Sequence, residues 1–94
     1  MTVYSISYDL EDPGQDYDDV HAAIKELGAW FHVLDSTWLV DVSNMSAGDV
    51  KDEVLDAADS NDGIVVTEVS SRGGGRWGYA GVNGNLGDWF DEHL

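Results

Sequence analysis

Hydrophobic period constrains this chain more than any other feature, because it switches between two and helical spacing in a fixed order. From Thr2 to Asp9, Tyr4, Ile6 and Tyr8 alternate with Val3, Ser5, Ser7 and Asp9, which is the period of a strand. Residues 10–15 hold the only proline, in Asp12-Pro13-Gly14. After them Val20, Ala23, Ile24 and Leu27 recur at helical spacing up to Gly28, a stop signal. Two aromatic and β-branched runs, Ala29–Leu34 and Thr37–Val42, flank the short polar Asp35-Ser36 and predict a hairpin. Ser46 with Asp49 three residues on resembles a capping box, and Val50, Val54, Ala57 and Ala58 supply the stripe of a second helix. Asn61-Asp62-Gly63 breaks the chain before a β-rich run at 64–69.

The order strand, helix, strand, strand, helix, strand predicts a ferredoxin-like βαββαβ domain. Right-handed crossovers place both helices on one face of a four-stranded antiparallel sheet. Residues 1–94 are read as this one domain, with 71–94 as a Gly-rich loop and short C-terminal tail. Seven glycines fall within residues 72–87. The sheet face opposite the helices then lacks a cover. Burial in a homodimer, or under a helical tail carrying Trp89, Phe90 and Leu94, is expected to supply one.

Charge sets the partners. Nineteen Asp and Glu against four Lys and Arg leave a formal net charge of −15. Neutralising phosphates takes a basic face that this chain cannot build, so bare nucleic acid and anionic membranes are unfavourable partners. Fourteen of the acids are Asp and they are scattered, as on a salt-adapted, halophilic surface. A competing reading is nucleic-acid mimicry, in which Asp16, Asp18 and Asp19 join Asp49, Asp52, Glu53 and Asp56 if both helices share one side of the sheet. The chain has no cysteine, which excludes thiolate zinc sites and thiol nucleophiles. No leader-like segment or long apolar run occurs, so the expected location is the cytoplasm.

Four segments carry a family resemblance: Tyr4-Ser5-Ile6-Ser7-Tyr8-Asp9-Leu10, Pro13-Gly14-Gln15-Asp16-Tyr17, Leu27-Gly28-Ala29-Trp30 and Ser36-Thr37-Trp38-Leu39-Val40. Together with Trp77, Gly78, Gly81 and Asp88-Trp89-Phe90, they resemble the small SinR-like proteins, relatives of the second CRISPR-associated protein family, Cas-two. The resemblance implies a ferredoxin-like fold and dimerisation. It also singles out Asp9, because in Cas-two proteins an Asp ending the first strand lies near the dimer axis. In some members a pair of them is proposed to hold a divalent metal for phosphodiester cleavage. Asp9 is therefore the candidate catalytic and metal-binding residue, with Mg²⁺ or Mn²⁺ as the only cofactor considered. Two facing carboxylates suit a hard cation that activates water. The structural alternative is that Asp9 receives the turn at Asp12-Pro13-Gly14 through local hydrogen bonds.

Arg72, Arg76 and Trp77 are the candidate nucleic-acid contacts, since guanidinium groups meet phosphates while indoles stack on bases. The alternative there is a linker delivering the tail to the sheet. His21, His32 and His93 lie on different elements with no paired spacing and are expected to be separate surface or edge residues. The leading functional reading is a non-enzymatic interaction or assembly module, homodimeric and acting through protein contacts. A metal-dependent nuclease using Asp9 from two subunits and an acidic decoy for a basic protein are the alternatives.

Overall fold

In the computed structural model the described residues are 2–9, 17–58, 63–69, 77–82 and 84–94, with the Tyr17 side chain excluded. Seven elements follow in order: β1 (Thr2–Asp9), α1 (Tyr17–Leu27), β2 (Ala29–Leu34), β3 (Thr37–Val42), α2 (Ala47–Leu55), β4 (Gly63–Val69) and α3 (Leu86–His93). The strands form one antiparallel sheet in the order β2-β3-β1-β4. The described residues form an α+β structure with a four-stranded sheet and three helices, as the periodicity predicts for its first six elements.

Alternation along β1 divides the interior in two. Tyr4, Ile6 and Tyr8 point to one face, where Trp38, Val40 and Val42 of β3 join them under Val20 and Ile24 of α1 and Val50 and Val54 of α2. Both helices therefore share that face. Val3 points the other way, into a smaller cluster with Val33, Leu39, Leu86, Trp89 and Phe90, so α3 covers part of the second face. The tail predicted from Trp89, Phe90 and Leu94 does act as a cover, as a helix beginning at Leu86.

Local signals explain the helix ends. Ser46 Oγ accepts the Asp49 N–H at 3.1 Å while Asp49 Oδ2 accepts the Ser46 N–H at 3.0 Å, closing the reciprocal cap expected at α2. The helix ends at Leu55, however, and Ala57 and Ala58 lie in the turn after it. At α3, Asn85 Oδ1 accepts the Asp88 N–H at 3.2 Å, and its amide donates to Asp88 Oδ2 at 2.9 Å. Gly28 follows α1 as its stop signal predicts, and it has a second reason to be glycine. A Cβ there would collide with the backbone carbonyl of Asp41, so β3 passes close only because the side chain is missing.

The Asp12-Pro13-Gly14 turn, Asn61-Asp62, and the arginine-bearing part of the Gly-rich stretch lie outside the described residues. Among the described residues no helix is long and apolar enough to cross a membrane.

Candidate functional site

Asp9 ends β1 with an exposed carboxylate opposite Gly63. The shallow groove beside it is lined by Ser7, Tyr8, Gly63, Ile64 and Val65, none of them an acid. A hard cation needs several oxygen ligands, and among the described residues no group of three His, Cys, Asp or Glu side chains converges. The described part of one chain therefore does not build a Mg²⁺ or Mn²⁺ site at Asp9. Arg72 and Arg76 lie outside the described residues. Trp77 is half-buried and stacks on Phe90 with ring centroids 4.7 Å apart and planes at 23°, so one ring face already packs against α3. Its ring is a structural contact first.

The histidines correct the sequence reading, because the fold gathers two of them and sets the third, half-buried, against a buried acid. His21 on α1 and His32 on β2 approach to 5.2 Å between ring centroids, and His32 stacks on Trp38 at 4.0 Å. The Tyr8 hydroxyl ties the cluster together. It lies 2.8 Å from His21 Nε2, donates to the Asp35 carbonyl at 3.2 Å and receives the Trp38 indole N–H at 3.4 Å. Burial holds the His21 pKa below the ordinary histidine value. Positive charge on His32 and Lys25 adds to this, while Asp18 opposes it. Lys25 covers the outer side, with its ammonium 4.7 Å from the Trp30 ring centre. The cluster closes the helix-face core between α1 and the hairpin.

On the opposite face His93 Nδ1 meets Asp41 Oδ2 at 2.8 Å. Asp41 is only 6% exposed, and its other oxygen has no hydrogen-bond partner among the described residues. This part-buried pair pins the last turn of α3 to β3. Neither residue belongs to a sequence motif; they meet only because α3 folds back across β3.

Beside α3 the second face opens into a groove of about 340 Å³. Leu34, Leu39, Trp77, Tyr79, Leu86 and Phe90 line it together with Ser5 and Thr37, and none of the described lining residues is charged. Tyr79 is anchored at the rim, where its hydroxyl accepts the Gly87 N–H at 3.0 Å. From this groove an uncharged strip runs across Ser5 and Ser7 to Val65 and Thr67 on β4, since those residues are paired in register and share the face. Val65 is 63% exposed. On a chain of this charge such a strip is the feature best suited to another protein surface. Comparison with protein-family models, with curated proteins and with solved structures finds no match to this chain.

Proposed function

We propose that the chain is a small, salt-adapted interaction or assembly module of ferredoxin-like type, homodimeric, non-enzymatic and working in the cytoplasm. The strand order β2-β3-β1-β4 with α1 and α2 on one face supports the ferredoxin-like assignment and, with it, kinship to SinR-like and Cas-two proteins. The observation that carries the functional reading is the uncharged strip from the α3 groove to β4. It interrupts a surface that otherwise repels its own kind, with a net charge of −15 per chain. Sedimentation at rising KCl tests it. Reversible self-association that strengthens as charges are screened is expected, and a monomer at every salt concentration that also captures no protein partner refutes the reading.

A second reading has its own support. The decoy hypothesis needs one acidic face, and Asp18 and Asp19 on α1 share the helix side of the sheet with Asp49, Asp52 and Glu53 on α2 and Asp56 at its C-cap, all exposed. Capture of a basic, nucleic-acid-binding protein that DNA then displaces would establish it. The nuclease alternative predicts Mg²⁺- or Mn²⁺-dependent cleavage abolished by Asp9→Asn, and requires a dimer that brings two Asp9 carboxylates together.

A further inference from the structure

Strand β4 is an edge. It pairs with β1 on one side, and among the described residues no strand lies beyond it. Edge strands expose unpaired N–H and C=O groups, and proteins commonly protect them with lysine, proline or a bulge. The β4 sequence Gly-Ile-Val-Val-Thr-Glu-Val contains no lysine or proline, its pairing with β1 is continuous from Val69 to Gly63, and Glu68 is its only charge. We propose that β4 pairs antiparallel with β4 of a second copy about a two-fold axis at Val66, joining the two sheets into one of eight strands. This rests on the interaction-module reading and specifies the surface and the partner.

The register follows from the residues. Centring on Val66, the midpoint of Gly63–Val69, overlaps the whole strand and sets Val65 opposite the partner's Thr67. Ile64 then lies opposite the partner's Glu68, so the two Glu68 carboxylates never face each other. Val65 and Thr67 lie on the α3 side with Ser5 and Ser7, while Ile64 and Val66 pack toward the helices, so each copy's faces match across the axis. The opposing force is also visible. Helix α2 packs against β4 and carries Asp49, Asp52 and Glu53, with Asp56 at its C-cap, against a lone Lys51, so two acidic helices flank the axis on one face. Pairing is therefore expected to need salt, which reduces the screening length from about 30 Å at 0.01 M to about 3 Å at 1 M.

The geometry bears on the nuclease alternative. Asp9 pairs with Gly63, three residues from the axis along the strand and one strand further in. With strands about 4.8 Å apart and a rise of about 3.3 Å per residue, the two Asp9 residues stand about 25 Å apart, too far to share a cation. A β4-paired dimer and a paired-Asp9 metal site exclude each other.

Charge-swapped variants at two exposed positions test the register, measured by sedimentation equilibrium from about 0.05 to about 3 M KCl. Val65→Glu with Thr67→Glu places two carboxylate pairs across the axis and is expected to weaken the wild-type dimer at least about tenfold, most strongly at low salt. Val65→Lys with Thr67→Glu sets each lysine against a partner glutamate and is expected to restore it. Circular dichroism checks that both variants stay folded. A wild-type monomer at every salt concentration overturns the proposal. So does a dimer indifferent to the double glutamate, which would leave the module reading intact but move the contact elsewhere. Loss without restoration by the Lys/Glu variant overturns it as well, since the register would be wrong.

Discussion

The two faces of the sheet are built on different principles. Under α1 and α2 the core is sealed: Ile6, Val20, Ile24, Val40 and Val50 are wholly inaccessible, and the polar atoms at its rim, in Tyr4, Tyr8 and Trp38, all have partners. Under α3 the core is smaller, contains a buried carboxylate, and opens sideways into an uncharged groove. Two helices of eleven and nine residues suffice to cover one face of a four-stranded sheet, whereas on the other face the described residues supply only one helix of eight, and Val65 on β4 stays exposed there. The larger sealed core thus lies on the helix side.

Truncation should expose this asymmetry most strongly. Ile24→Ala removes a fully buried side chain from a closed core and is expected to cost about 4 kcal/mol. Leu86→Ala, next to an open groove that can relax, should cost about 2 kcal/mol, and urea denaturation of both variants measures the gap. Equal losses would mean the α3 face is packed as tightly as the other.

Next in size is the latch. His93→Ala strands Asp41 without its partner inside an apolar cluster, at a cost of about 3 kcal/mol, while replacing both by leucine is expected to restore most of that loss. Chemical denaturation of the single and double variants separates a pair that stabilises α3 from one that only fixes its position. Gly28→Ala follows, with about 2 kcal/mol expected as β3 shifts away from the new methyl group, visible as a lower thermal midpoint.

The smallest effect is a pH dependence confined to the helix face. His21 has a folded pKa below its unfolded one, so between the two values the unfolded chain binds more protons and stability rises with pH. His21 therefore withdraws stability as the pH falls through the ordinary histidine value of 6.5 toward its lowered one. His21→Gln should flatten the slope of stability against pH in that window; an unchanged slope would place the titration elsewhere.

The first six elements were legible because each announces itself locally. Tyr4-Ile6-Tyr8 has the period of a strand, Val20-Ile24-Leu27 that of a helix, and Ser46 with Asp49 caps α2 within four residues. The candidate sites were legible only in part. Asp9 stands at the strand end that the sequence predicts, but among the described residues the groove beside it supplies no second acid. Asp41 and His93, 52 positions apart, have no local signature at all.

What the amino-acid order determined alone is the succession of strands and helices and an acidity that demands screening, since periodicity, capping and charge are properties of neighbours or of sums. Tertiary packing decided the hairpin register. The two-residue turn sets Leu34 opposite Thr37, yet an irregularity between His32 and Leu34 slips the ladder by one, so that His32 rather than Val33 faces Trp38. That slip sends Trp30 and His32 to the helix face and Phe31 and Val33 beneath α3. A one-residue shift exchanges every side chain between faces, so only the burial available on both sides of the finished sheet selects between the two registers.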